Sequence, residues 1–253
     1  MIAGNLLKAT RAILMVCISL MIMRDAAKAQ EARSPSHAVR SIALDSLDGI
    51  EIKAVSEPGA EAVKIKADIA AYNGRRALHM LNDDSTMGSS GESLAIVKDS
   101  SFKNGTIECY VTGMPRQGSN SQSRGFVGIA FHIQGDGEKF ENFYLRFTNG
   151  RADDQLRRNH SAQYSAFPDF PWSRLRQESP GVYESYVDIE EKSWTKIKIV
   201  VSGAKAKLYV NGADQPCLIV NDLKLGENQG RVALWTGSDT EGYFSTLRIS
   251  KPE

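Results

Sequence analysis

The stretch that decides the fold runs from Trp194 to Gly212 and reads WTKIKIVVSGAKAKLYVNG. Its apolar residues recur at every second position, which is the period of a β-strand with one buried face. The alternating residues of the first run are Ile197, Ile199 and Val201, separated by Lys196, Lys198 and Val200. Ser202-Gly203 closes the first run and Asn211-Gly212 the second, and such pairs are typical of turns between antiparallel strands. The stretch therefore predicts strands joined by a hairpin turn.

The same period of two continues through the rest of the chain. Further strand candidates lie at 50–55, 63–69, 76–81, 93–97, 106–112, 126–133, 143–147, 183–189, 230–236 and 243–249. Asn-Gly pairs at 73–74, 104–105 and 149–150 supply further turns. No stretch after residue 40 keeps the 3.6-residue period of a helix over three turns. The pattern predicts an all-β, two-sheet antiparallel sandwich in one domain over 41–253, without a helix longer than about three turns.

Composition and charge exclude several classes of protein. Of the 253 residues 42% are hydrophobic and 24% are charged, and the formal net charge is +1. These values do not fit a disordered chain, a small disulfide-stapled protein or a polytopic membrane protein. Because no strong charge bias is present, we expect no nucleic-acid partner and no affinity for an anionic membrane surface.

Residues 1–29 have the layout of a secretory signal peptide. Lys8 and Arg11 precede the apolar run 12–23, and AKA at 27–29 is an A-x-A cleavage signal. A membrane-spanning helix needs about 20 apolar residues, so this run is too short to be one. The alternative is an N-terminal anchor that stays uncleaved. We expect a periplasmic or secreted protein that begins at Gln30, with a flexible leader over 30–40 and no membrane span after cleavage.

Two cysteines, Cys109 and Cys217, follow the predicted signal peptide. An oxidising compartment would permit them to form a disulfide, and the alternative is two free thiols packed as small apolar side chains. No C-x-x-C pair and no cluster of histidine and cysteine indicates a zinc site. We expect no cofactor, and a structural calcium ion is left open.

Two predicted strands carry aromatic and charged residues on one face. In YESYVDIEE (183–191) this face holds Glu184, Tyr186 and Asp188, and in FYLRF (143–147) it holds Tyr144 and Arg146. Carboxylates on one strand face can lie at the separation of about 5–9 Å that glycoside hydrolysis uses. Glu184 and Asp188 are therefore candidate catalytic acids, beside three candidate substrate ligands. The alternative is a solvated outer face.

The most unusual stretch is 149–178, NGRADDQLRRNHSAQYSAFPDFPWSRLRQE, which contains five arginines and no lysine. Arginine makes planar, geometry-specific contacts, so this bias favours a binding loop. The alternative is a brace in which Asp153 or Asp154 pairs with Arg157 or Arg158. The candidate substrate ligands of this stretch are Arg158, Asn159, Gln163, Tyr164 and Trp172, and His160 is a candidate acid or base.

Several motifs also carry a resemblance to known families. They are FKNGTIE (102–108), GIAFH (128–132), FYLR (143–146), RNHSAQY (158–164), WTKIKIVV (194–201), LYVNG (208–212), GRVALW (230–235) and GYFSTLRI (242–249). The C-terminal half resembles concanavalin A-like jelly rolls of the laminin-G type. Taken over about 75–253, the chain is similar to the bacterial domain family named 3-keto-disaccharide hydrolase.

The resemblance implies a concanavalin A-like jelly roll and carbohydrate chemistry outside the cytoplasm. Jelly-roll glucanases carry an E-x-D-x-E strand, and its nearest counterpart here is YVDIE at 186–190. Tyr186 stands where the first glutamate belongs, so this strand departs from the standard retaining pattern.

Two functional hypotheses follow. The first is an exported domain that binds a glycan or a modified disaccharide without chemistry. The second is a glycoside hydrolase-like enzyme that cleaves an ordinary or 3-keto disaccharide, with Glu184, Asp188 or His160 as acid or base. In both, we expect the two polar strand faces to meet 149–178 at one concave surface. The pattern does not predict an oligomeric state.

Overall fold

The computed structural model describes residues 39–56, 64–82, 91–119 and 121–252. The predicted signal peptide, its cleavage site and residues 30–38 of the predicted leader lie outside the described residues. Val39 and Arg40 pair with Ser250 and Ile249 of the last strand. These two residues of the predicted leader are therefore part of the sheet.

The described part of the chain contains fifteen β-strands. They are β1 (Val39–Ile42), β2 (Ile50–Val55), β3 (Ile65–Tyr72), β4 (Arg75–Asn82), β5 (Glu92–Val97), β6 (Gly105–Pro115), β7 (Phe126–Gln134), β8 (Lys139–Arg146), β9 (Ala162–Phe167), β10 (Glu184–Ser185), β11 (Thr195–Ser202), β12 (Lys205–Val210), β13 (Leu218–Val220), β14 (Arg231–Thr236) and β15 (Thr240–Ser250). Two short helices, α1 (Gln155–Asn159) and α2 (Trp172–Glu178), and a 3₁₀ turn (Phe147–Asn149) complete the described elements. Neither described helix has the length and apolar character needed to cross a membrane. Both are shorter than three turns, as the period predicts.

The strands form two antiparallel sheets. The first has eight strands in the order β13-β12-β11-β6-β15-β4-β3, with β1 also paired to β15, and the second has seven in the order β10-β9-β8-β7-β14-β5-β2. Alternate residues of both sheets fill one core between them. On β11, for example, Ile197, Ile199 and Val201 are buried. The predicted all-β, two-sheet antiparallel sandwich is confirmed.

Aromatic residues of the seven-stranded sheet supply much of this core. Phe131 and Phe143 stack with ring centroids 6.2 Å apart, and both are fully buried. Full burial of such a side chain stabilises the fold by about 1.5–3 kcal/mol. Phe131, Phe147, Leu208, Val210 and Leu234 are buried, and Trp194 is half-buried.

One polar network is buried in this core. Glu141 Oε1 accepts hydrogen bonds from Tyr164 Oη (2.8 Å) and from the Leu225 amide (3.2 Å). Glu141 Oε2 lies 2.9 Å from His132 Nδ1, and His132 Nε2 lies 2.8 Å from the carbonyl oxygen of Lys103. His132, Glu141 and Tyr164 have no exposed surface. Because buried polar groups need partners, this network fixes β7, β8 and β9 relative to the segment at Leu225.

Of the two alternatives for Cys109 and Cys217, the structure has two free thiols and no disulfide. Cys109 lies on β6, whereas Cys217 immediately precedes β13 and donates its amide to the Leu208 carbonyl of β12. Strands β11 and β12 separate β6 from β13, so three strand spacings of about 4.8 Å divide the two positions. A disulfide needs Cα atoms within about 7 Å, so this topology excludes the bond.

The predicted strand over 183–189 is mostly absent. Only Glu184 and Ser185 pair with a neighbour, namely with Gln163 and Ala162 of β9. Beyond Ser185 the alternation of exposure persists, with Asp188 exposed and Ile189 buried, although the backbone no longer pairs as a strand. Periodicity reports which face is buried and does not report whether a partner strand is present.

Candidate functional site

The candidate site lies on the outer face of the seven-stranded sheet, at its β10 edge. Strand register places Tyr144 opposite Gln163 and Gln163 opposite Glu184, so the three form a row across β8, β9 and β10. Arg146 follows Tyr144 by two residues on β8 and shares its face. The sheet therefore holds four of the predicted site residues on one rigid platform.

Arg146 is 4% exposed, and its hydrogen bonds go to neutral oxygen atoms. Nη1 donates to the His160 carbonyl (3.0 Å) and to Gln163 Oε1 (3.1 Å). Nη2 donates to Tyr144 Oη and to Gln163 Oε1, both at 3.1 Å. Burial lowers the pKa of Arg146, because the charged guanidinium has lost water. Burial also raises the pKa of Tyr144 to about 12, so its hydroxyl keeps its proton.

Glu184 is a buried carboxylate between Arg176 and His160. Its Oε2 accepts a hydrogen bond from Arg176 Nη2 (2.6 Å), and its Oε1 accepts one from Arg176 Nε (3.0 Å). His160 Nδ1 lies 2.8 Å from Glu184 Oε2, but the approach is too far off line for a hydrogen bond. The Glu184 side chain is 4% exposed, so this ion pair is largely shielded from water.

A cavity of about 280 Å³ opens beside this row, and we call it the arginine cavity. Its described lining residues are Gln122, Arg124, Phe126, Arg146, Asn149, Arg157, His160, Trp172 and Arg176. Four of them are arginines, and none of the described lining residues is acidic. The cavity thus combines hydrogen-bond donors, positive charge and two aromatic rings.

Trp172 is the exposed aromatic side chain of the arginine cavity. It begins α2 directly after Pro171, and 45% of its surface is accessible. The guanidinium carbons of Arg146 and Arg176 lie 5.6 Å and 4.7 Å from the centre of its ring. These contacts hold the indole beside the cavity while leaving part of its surface uncovered.

A second cavity of about 680 Å³ shares His160 and Arg176 with the arginine cavity. Its described lining residues are Leu156, Asn159, His160, Arg176, Pro180, Gly181, Glu184, Ser185 and Tyr186. Glu184 is the only acid among the described residues that line either cavity. The two cavities are therefore adjacent at these two side chains.

The environment of His160 favours its neutral form. Burial is the largest cause and lowers the pKa of His160; Arg176 and Arg146 lower it further, and Glu184 opposes them. The neutral imidazole can accept a proton, which is the property of a general base.

Replacing His160 by glutamine should make stability less dependent on pH. The folded-state pKa of His160 lies below the unfolded value of about 6.5, so the unfolded chain binds more protons as the pH falls. Stability from this residue is present above the unfolded pKa and is lost as the pH falls toward the folded pKa. Melting temperatures at about pH 7.5 and about pH 5.5 would measure the effect. An equal drop in the wild type and in His160→Gln would contradict it.

Three other predicted site residues do not line either cavity. Tyr164 faces the core, where its hydroxyl donates to Glu141, because it alternates with Gln163 on β9. Asp188 is exposed and accepts from Arg151 Nε (3.1 Å), and it lines neither cavity. Arg158 donates to Tyr186 Oη (2.7 Å), with its guanidinium over that ring. The structure therefore does not bring Asp188 and Glu184 together as a catalytic pair.

The alternative of an Arg–Asp brace within 149–178 is also not what the structure shows. Asp154 accepts from the Arg157 amide (3.0 Å) and thereby caps α1. Arg157 Nη2 donates to Thr148 Oγ1 (3.3 Å) instead of to a carboxylate.

Several residues of the arginine cavity were not predicted from the sequence. Arg157 and Arg176 lie in the lysine-free stretch, which was a signal for them. Asn149 begins the same stretch, but the sequence assigned it to a turn. Arg124 and Phe126 carry no signal of their own, because only the folded sheet brings them to the site. Within the described residues, no three side chains of His, Cys, Asp or Glu converge as a metal site requires.

Comparisons with known proteins give structural likeness only. The sequence matches no family model and no curated protein. The carbohydrate-binding module CBM66 from Bacillus subtilis is similar at 13% identity and a TM-score of 0.47, over 76% of this chain and 98% of that one. A Bacillus subtilis protein of unknown function with a galectin-like fold is similar at 10% identity and a TM-score of 0.49, over 84% of this chain and 94% of that one. Bacillus licheniformis β-glucanase is similar at 13% identity and a TM-score of 0.47, over 86% of this chain and 100% of that one.

With identities of 10–13% and TM-scores below 0.5, the function of this chain has to be argued from its own residues.

Proposed function

We propose that this chain is an exported carbohydrate-binding domain and that the arginine cavity holds one sugar unit of its ligand. The observation that carries the proposal is Trp172, a large aromatic ring that is 45% exposed beside a cavity rich in hydrogen-bond donors. Core packing does not account for a ring that remains so accessible.

The chemistry of a pyranose matches this surface. A sugar ring presents C–H patches that pack on an aromatic face, and its rim of hydroxyls needs nearby polar groups. Trp172 and Phe126 supply the faces, and Asn149 and the arginines supply the polar groups. About 280 Å³ is at the lower end of ligand cavities, which favours one sugar unit over a long chain.

The predicted location outside the cytoplasm agrees with a carbohydrate ligand. The signal peptide pattern at 1–29, which lies outside the described residues, would deliver the domain to the periplasm or to the medium, where glycans are encountered.

The second candidate function is hydrolysis of an ordinary or 3-keto disaccharide. The observation that favours it is the 2.8 Å contact between His160 Nδ1 and Glu184 Oε2, which places an imidazole that can act as a base next to a carboxylate. However, hydrolysis by paired carboxylates needs a second acid, and Glu184 is alone among the described residues that line the two cavities. Binding is therefore the function that these residues support best. Measured hydrolysis of an ordinary or a 3-keto disaccharide by the protein would support the enzyme instead.

Replacing Trp172 by alanine should weaken glycan binding by about 1–3 kcal/mol, roughly 5–150-fold in Kd, because an aromatic stacking face is lost. A glycan array would first identify ligands, and titration calorimetry would then measure the variant.

Trp172→Phe should retain most of the affinity, because it keeps a ring. Tyr209→Ala is the distant control, since Tyr209 lies on β12 of the other sheet. An unchanged affinity in Trp172→Ala, or an array without ligands for the unmodified protein, would contradict the proposal.

A further inference from the structure

The arginine cavity holds more positive charge than its described surroundings neutralise. Four guanidinium groups line it, and of these only Arg176 has a carboxylate partner, Glu184. Within the described part of the chain, Arg124, Arg146 and Arg157 form no ion pair. Their hydrogen bonds go to carbonyl, amide and hydroxyl oxygens.

The burial of this charge makes the imbalance significant. A charged side chain removed from water is costly unless it is paired, and Arg146 is only 4% exposed. None of the hydrogen bonds of Arg146 in the described chain uses its Nε. Arg157 Nε is buried and has no acceptor among the described residues. These N–H groups are donors for which the described protein supplies no acceptor.

The guanidinium groups also lie close enough to disturb one another. Burial lowers the pKa of Arg124, and the nearby charges of Arg157 and Arg146 lower it further. Burial likewise lowers the pKa of Arg146 and Arg176 lowers it further, whereas Tyr144 and Glu184 act to raise it. Mutual repulsion of this kind is relieved by an anion placed among the groups.

We propose that the arginine cavity recognises an acidic group carried by a sugar, either the carboxylate of a uronic acid or a sulfate ester. The inference rests on the proposed function for the sugar, and it adds the chemical class of that sugar. Planar guanidinium forks match carboxylate and sulfate oxygens, and such charge-assisted bonds are about twice as strong as neutral ones. The cavity volume and the rings of Trp172 and Phe126 favour an acidic sugar over a free oxyanion.

The test uses the full chain and three matched probes in titration calorimetry. They are a disaccharide ending in glucose, the same disaccharide ending in glucuronic acid, and its 6-sulfate ester. We expect both acidic probes to bind at least about tenfold more tightly than the neutral one, the scale of one charge-assisted bond. Added salt should reduce this preference.

Two variants locate the effect. Arg124→Gln and Arg157→Gln should each reduce the preference for the acidic probes over the neutral one by about tenfold. Glutamine keeps an amide that can donate to a sugar hydroxyl, but it has lost the charge that favours the acidic group. Both arginines are half-buried and lack a carboxylate partner in the described chain, so their removal strands no buried acid. Arg248→Gln is the matched control, because it removes the same charge from an exposed position on β15.

Each outcome decides between the proposals. Equal affinity for all three probes would overturn the acidic-sugar inference and leave carbohydrate binding standing. Failure of every probe and of the glycan array would overturn both. Inorganic sulfate that binds as tightly as the sulfated disaccharide would show a site for a free oxyanion and would overturn the inference.

Discussion

Replacing Glu141 by leucine should lower the free energy of unfolding by about 3–5 kcal/mol, the cost of breaking a buried pair by removing one partner. Leucine has a similar size but no oxygen. The Tyr164 hydroxyl, the Leu225 amide and His132 Nδ1 would therefore lose their partner inside the core. Urea denaturation followed by circular dichroism would measure the loss.

Two further variants separate the causes. Glu141→Gln should lose much less, because its amide oxygen still accepts from Tyr164 and Leu225 while its NH₂ can donate to His132 Nδ1. This assignment follows from His132 Nε2, which faces the Lys103 carbonyl and must carry a proton there. Glu138→Gln, on an exposed residue of the same hairpin, should have almost no effect. If Glu141→Gln lowered the free energy of unfolding as much as Glu141→Leu, the charge of Glu141 would matter more than its hydrogen bonds in this network.

Replacing Glu184 by glutamine should lower the free energy of unfolding by about 2–3 kcal/mol. The change removes the carboxylate that Arg176 and His160 share and leaves the arginine cavity without its nearest negative charge. This loss lies at or below the lower end of the range for buried pairs, because the Arg176 side chain is 32% exposed and can regain some water. Thermal and urea unfolding would both report the loss.

A double-mutant cycle would assign this loss to the pair. In an Arg176→Gln background, Glu184→Gln should cost clearly less, since the main partner is already gone. Glu178→Gln, which breaks the exposed pair with Arg174 on the same helix, should cost less than about 0.5 kcal/mol. Additive losses in the cycle would mean that Glu184 stabilises the fold through some other contact.

The fold could be predicted because alternation and turn residues are local signals. The alternation at 197–201 predicted which face of β11 is buried, and Asn211-Gly212 marked the end of β12. Alternation also placed Tyr144 and Arg146 on one face of β8, where the structure has them.

The site could be predicted only in part, because its character depends on which charges find partners. The sequence shows that Asp188 and Glu184 are both acidic, but not that Arg151 holds one and Arg176 the other. The sequence also does not show that Tyr164 faces the core while the adjacent Gln163 faces the site. The pairing of β9 within the sheet determines which of its two faces is turned to the core. Arg124 reaches the cavity from a segment far from 149–178, and no local pattern marks such a meeting.

The position of β15 sets a condition on folding. This strand follows all other described strands in the chain, yet it lies between β6 and β4 and also pairs with β1. During synthesis, β6 and β4 therefore remain open edges, with unpaired backbone groups, until residues 240–250 have emerged. The eight-stranded sheet closes around its latest strand, so partly synthesised chains expose two edges that other chains can pair with. A chain truncated just before Thr240 would keep the same two edges open.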